Sequence, residues 1–267
     1  MSTDANQSSS DSNQNRHRVF ATTSWSMVLD AADARSKNGQ TLSANNRESQ
    51  IREALSQLCQ QYWYPLYAFV RRKGFERTQA EDLTQAFFTD LLEKNRLEKA
   101  EPARGRFRSF LLASLNNFIA NHWRAESAEK RGGGQTVLSI DYEQADSRYR
   151  ERGSMEVVSH EISAEKVFER NWALSILDQT LMAVGEQYDQ SGKPELFEAL
   201  KGFLTGDENL PYADVAQSLG MKEGAIKVAV HRMRQRYGQQ LRLQIAKTIE
   251  DPDDVDNELQ SLFAALE

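Results

Sequence analysis

Cysteine is nearly absent from this 267-residue chain, and Cys59 is its single example. An internal disulfide and a cysteine-based metal cluster are therefore excluded. The four histidines, His17, His122, His160 and His231, are scattered without metal-ligand spacing, so no metal site is expected. Nowhere does an apolar run approach the roughly 18 residues a membrane-spanning helix needs. Residues Met1 to Asn15 lack both a basic n-region and an apolar h-region, so they are not expected to act as a secretory signal. They are almost all Ser, Asn, Gln, Asp and Ala, too polar to offset the entropy of ordering, and disorder is expected over 1–17. Catalytic apparatus is missing as well. Glu81-Asp82 is a carboxylate pair with no accompanying nucleophile or phosphate-cradling loop. Gly132 to Gly134 follows no strand and precedes no Lys-Ser/Thr, which makes it a hinge and not a nucleotide loop. The chain is expected to be a cytoplasmic non-enzyme with no catalytic residue, no cofactor and no membrane partner.

What is present is helical periodicity, in a chain long enough for two small domains. Ile51, Leu55, Leu58, Tyr62, Leu66, Phe69 and Val70 recur at helical spacing, with Pro65 expected to kink that run or begin a second helix and Gly74 to cap it. A second helix reads over Gln79–Lys94, with Leu83, Phe87, Phe88, Leu91 and Leu92 on one face. A third runs from Phe107 to Trp123. A short apolar patch, Val19 to Leu29, is expected to pack on this bundle. Residues 134–165 are polar, mixed in sign and read as a flexible linker. Periodicity resumes with Val167, Phe168, Trp172, Ile176, Leu177 and Leu181, followed by helices at 195–204, 212–219 and 223 to about 249. No strand is expected. The fold class is all-α: helical domains over 18–133 and 166–249, with a closing acidic tail over 250–267.

That tail distorts the overall charge of −6. It holds seven acids and no base, so without it the chain stands at +1. Basic groups then concentrate locally, and DNA responds to local potential. The sharpest local pattern is Leu210-Pro211-Tyr212-Ala213-Asp214-Val215-Ala216-Gln217-Ser218-Leu219-Gly220-Met221, continued by Lys222 to Val230. Two helices crossing steeply need a small residue at the approach, supplied by Ala216. The tight turn needs a residue tolerant of positive φ, and Gly220 lies four positions later. Val215, Leu219, Met221, Ile226 and Ala229 are expected to close the small core. From Lys222 to Lys247 there are seven bases and one acid, Glu223. Such a helix can enter a major groove, with Lys222, Glu223, Gly224, Lys227, Val228 and His231 towards base edges. Arg232, Arg234 and Arg236 would then meet phosphates. The competing reading is a helical hairpin with a solvated basic face.

In the first domain Arg104-Gly105-Arg106-Phe107-Arg108-Ser109-Phe110 interleaves bases with aromatics, a combination suited to a single strand. Phe107, Phe110 and Phe118 fall at core spacing, leaving Trp123 as the better stacking candidate. Here the chain resembles sigma factors of the extracytoplasmic-function type. Tyr62 to Arg72 looks like their opening helix, and Ala80-Glu81-Asp82-Leu83-Thr84-Gln85-Ala86-Phe87-Phe88 like their acidic helix. Gly105 to Leu112 with Asn116 to Trp123 is similar to their promoter-melting segment, and Lys222 to Arg236 to their minus-thirty-five reading helix. The likeness runs from Phe20 onward and is closest to the large planctomycete-like branch.

The resemblance implies an RNA polymerase sigma factor that directs promoter recognition, promoter melting and transcription initiation. Glu81, Asp82, Gln85 and Phe88 would dock on the β′ clamp of core RNA polymerase, and the second domain would serve the β flap. Arg104, Arg106, Arg108, Asn117, Asn121, Trp123 and Arg124 would take the melted minus-ten strand of promoter DNA. An anti-sigma or other regulatory protein is the further partner it implies. Lys227 is followed by Val228 and Ala229, where many relatives place an Arg two residues after the Lys, so no promoter sequence carries over. The alternative is a stand-alone transcriptional regulator whose N-terminal bundle serves dimerisation. The tail's Val255, Leu259, Leu262, Phe263 and Leu266 follow helical spacing, an amphipathic helix in an acidic setting.

Overall fold

The computed structural model describes residues 44–93, 106–126, 162–206, 211–249 and 251–267. The Val19–Leu29 patch, Arg104, Gly105, Gly132 to Gly134 and residues 134–161 of the linker lie outside the described residues. The fold is all-α, with no strand among the described residues. In chain order the helices are α1 (Ala44–Arg72), α2 (Arg77–Glu93), α3 (Phe107–Glu126), α4 (Ala164–Gln190), α5 (Pro194–Leu200), α6 (Gly202–Thr205), α7 (Tyr212–Ser218), α8 (Glu223–Ala246) and α9 (Val255–Ala264). No helix among the described residues is long and apolar enough to cross a membrane. The chain divides into two compact units, Met1–Ala173 with Ala246–Glu267, and Leu174–Ile245.

In the first unit α1, α2 and α3 pack on one another. α1 runs through Pro65 as one helix, so no second helix begins there. Proline removes one backbone donor. The neighbouring side chains hold the helix in place, because every residue from Gln61 to Val70 is buried. The end is set as expected at Gly74, whose φ of 94° lies in the left-handed region. α2 buries Ala80, Leu83, Phe87 and Leu91, and also Thr84, whose hydroxyl donates to the Ala80 carbonyl at 2.7 Å. α3 buries Phe107, Leu111, Leu115 and Ile119, one residue per turn. Edge-on ring contacts join the helices: Phe107 meets Tyr62 at 5.4 Å and Phe118 meets Phe87 at 5.7 Å. Phe107 and Phe118 thus belong to the bundle, as their spacing implied. Arg72 closes the unit by donating from Nε and Nη2 to the Ile162 carbonyl, at 3.0 and 2.8 Å.

The second unit is organised around Val184, Tyr188, Leu200, Val215, Ala216, Ile226, Val230 and Met233, all buried. Leu196, Phe197, Phe203, Leu204, Tyr212 and Leu219 pack around them. Phe203 and Tyr212 stack with ring centroids 4.7 Å apart. The segment expected as one helix over 195–204 is two, α5 and α6, meeting at Lys201.

Candidate nucleic-acid interface

The turn between α7 and α8 is held by its backbone. The Met221 N–H donates to the Ala216 carbonyl at 2.8 Å, and the Gly220 N–H to the Gln217 carbonyl at 3.2 Å. These are the paired bonds that end a helix with a left-handed residue at the first position beyond it. Gly220 occupies that position with φ 62°. Val215 and Ala216 are buried one turn earlier, and the small Ala216 lets α8 come close. Met221 is 39% exposed and is not part of this core, contrary to expectation. The residue just past a left-handed cap is carried outward, and Ile226 takes the interior position.

α8 buries Ile226, Val230 and Met233 at helical spacing. One residue on is about 100° around the helix, and there stand Lys227, His231 and Arg234, all exposed. Lys222, Glu223, Gly224, Val228, Arg232 and Arg236 are exposed too, so every residue expected to read or grip DNA on this helix reaches solvent. Lys227 Nζ sits 2.7 Å from Glu223 Oε1, and this bond raises the affinity of the ammonium for its proton. Arg234 donates from Nη2 to the Phe203 carbonyl at 3.2 Å, and the Arg236 guanidinium lies 5.1 Å from the Tyr188 ring centroid. Both guanidinium groups therefore lie against the unit's own residues.

On the first unit, the expected polymerase-docking residues divide. Asp82 is exposed, while Glu81 is 17% exposed and takes a 2.8 Å contact from Arg77 Nε. Gln85 and Phe88 are buried, because α2 packs against both α1 and α3 and its covered arc takes in their positions.

The minus-ten set divides as well. Asn117 and Asn121 are exposed on α3, whereas the side chains of Trp123 and Arg124 lie outside the described residues. Arg106 is 43% exposed, with Nε 2.9 Å from Glu258 Oε2. Arg108 is only 3% exposed. Its Nε donates to Glu169 Oε2 at 2.6 Å, its second nitrogen pairs with Glu258, and its guanidinium lies 4.0 Å from the Trp172 ring centroid. Burial lowers the pKa of Arg108, and Glu169 acts in the opposite sense. Burial also pushes the neighbouring Tyr62 hydroxyl well above the ordinary tyrosine range.

Glu169 and Glu258 were given no role from the sequence, and Trp172 was placed only on the apolar face of its helix. Glu258 left one trace there: it stands on the inward stripe of α9 beside Leu262, an acid where the pattern asks for an apolar residue. No group of His, Cys, Asp and Glu among the described residues could hold a metal ion.

Residues 58–129 match Sigma-70 region 2. That match supports an RNA polymerase sigma factor of the sigma-70 family, and region 2 implies binding to core RNA polymerase and promoter DNA in promoter recognition and melting. The matched residues take in α1 from Leu58 onward, all of α2 and all of α3. Glu169, Trp172 and Glu258, which surround Arg108, fall outside them. No curated protein and no solved structure matches the chain significantly.

Proposed function

We propose that this chain is a sigma factor of the extracytoplasmic-function type, of the planctomycete-like branch, working in the cytoplasm as a non-catalytic subunit without a cofactor. The region 2 match over residues 58–129 carries the reading. Residues 18–133 serve as the domain that holds core polymerase and the minus-ten element, 134–165 as a linker and 166–249 as a helix-turn-helix domain for the minus-thirty-five element. What supports the second assignment is the exposed stripe Lys222, Lys227, His231 and Arg234 beside a fully buried Ile226–Met233 face. Charge placed along one helix suits a groove lined with phosphates, and the first turn of that helix is where base edges are met. On region 2, Asp82 is the exposed acid best placed to meet the β′ clamp, with Glu81 beside it.

The test is assembly followed by transcription. The chain should co-purify with core polymerase and direct promoter-dependent run-off transcription. Asp82→Ala should weaken assembly at least several-fold while changing stability by no more than about 0.5 kcal/mol, the usual range for an exposed polar site. A chain that binds a duplex operator alone and never enters holoenzyme would instead be the stand-alone regulator.

A further inference from the structure

α3 begins with a charge problem. Arg106 and Arg108 stand at its start, no acid occupies its first turn, and the N-terminal end of a helix already carries partial positive charge. The chain resolves it from far away. Glu169 arrives from α4 and Glu258 from α9, so two guanidinium groups face two carboxylates. Glu258 bridges both arginines, one oxygen to each, and is itself 2% exposed. With α9 in place the cluster is neutral and Arg108 is covered. Lifting α9 away leaves one net positive charge, an open Arg106 and an Arg108 backed by the Trp172 ring.

The hold of α9 is narrow. Leu262 is its one fully buried apolar side chain, Val255 and Leu259 are half-buried, Phe263 is 53% exposed, and the acids Asp253, Asp254 and Asp256 before and within its first turn are exposed. Its seat is therefore an ion-pair site beside a short apolar stripe, a combination that another anion can contest.

We propose that α9 is an exchangeable strap on region 2, its Glu258 carboxylate filling the place between Arg106 and Arg108 that a backbone phosphate of single-stranded DNA takes. A carboxylate and a phosphodiester make the same demand on a guanidinium, two acceptor oxygens in its plane. In the free chain the strap withholds both arginines from the strand, and binding of the strand releases α9. This rests on the assignment of region 2 to the melted strand.

The test uses the full chain, a fluorescent single-stranded oligonucleotide of about 12 nucleotides and hydrogen exchange at residues 255–264. In the native chain, saturating oligonucleotide should speed exchange across α9, and a duplex of the same sequence should do so far less. Glu258→Gln should speed that exchange without DNA and bind the strand about tenfold tighter, a gain that shrinks as salt screens the contact. Unchanged α9 exchange with the strand bound overturns the proposal, and so does Glu258→Gln binding no tighter than the native chain, or binding by neither form. If Glu258→Gln fails to fold, the native-chain exchange pair decides alone. Permanganate footprinting of promoter opening by Arg106→Ala holoenzyme separates the two assignments. Lost opening with an unmoved α9 removes the strap alone, whereas normal opening removes the strand contact and the strap with it.

Discussion

Two glycines in the second unit should respond to the same substitution with opposite signs. Gly220 holds φ 62° in the turn between α7 and α8, and an added Cβ would meet nothing within 4 Å. The penalty for alanine there is conformational and not steric, about 1–2 kcal/mol for a side chain forced into the left-handed region. Gly238 lies inside α8, exposed, and again nothing stands within 4 Å of the added Cβ. Alanine is the better helix former by about 0.8–1 kcal/mol, so Gly238→Ala should stabilise by close to that amount. With a urea m-value of about 1–3 kcal/mol/M, midpoints should move roughly 0.3–2 M down for Gly220→Ala and up by somewhat less for Gly238→Ala. Gly220→Asn should fall between Gly220→Ala and the native chain, since Asn tolerates that region best after Gly. Far-UV circular dichroism follows the transition. Tryptophan fluorescence supplies the control, because Trp25, Trp63, Trp123 and Trp172 all precede Leu174 and report the first unit alone. A Gly220→Ala midpoint equal to the native one would refute the turn geometry, and a Gly238→Ala loss would refute the open helical face.

Arg236→Ala should weaken binding to all duplex sequences alike and reduce the slope of log K against log salt by about 0.9, the loss of one phosphate contact; an unchanged slope would remove Arg236 from the phosphate set. Lys227→Ala should alter the promoter motif recovered from a selected library, and recovery of the native motif would end its role as a reader. Burial pushes the Cys59 thiol up to about 11 from its ordinary 9. A thiol reagent at pH 8 should therefore modify the folded chain far more slowly than the urea-unfolded one. The contribution of Cys59 to stability should be intact below pH 9 and lost as pH rises towards 11, and equal reaction rates in the two states would contradict its burial. Trp172→Ala should cost about 3–5 kcal/mol, as for other large buried aromatics, read from the urea midpoint of the first unit. A loss under 1 kcal/mol would show that Arg108 does not depend on that ring.

Local chemistry made the turn at Gly220 legible, because a left-handed cap and a small crossing residue are properties of a few adjacent positions. Helical spacing likewise placed Phe107, Phe118, Ile226 and the exposed α8 bases. Two kinds of feature escaped it. α2 is covered on two sides, so Gln85 and Phe88, to which the resemblance gave a docking role, are buried. Arg106 and Arg108 look alike as sequence, yet one is half-exposed and the other buried. Their difference is made by Glu169, Trp172 and Glu258, up to 150 residues away, and no local window contains that information. Met221 differs for the opposite reason: the left-handed turn at Gly220 resets the helical periodicity that would place it inward.

The separation of Arg108 and Glu258 also orders events during synthesis. Glu169 follows Arg108 by 61 residues and Glu258 by 150. At about 5–20 residues per second, roughly 8–30 s pass between the making of the arginine and of its second carboxylate. Once Glu169 has been made the nascent bundle still carries one net positive charge at Arg106 and Arg108, within reach of the ribosome's own RNA, until Glu258 follows. Closure by α9 is the finishing step of the first unit, and a chain whose translation stops short of Glu258 would leave the ribosome with its cationic face permanently uncovered.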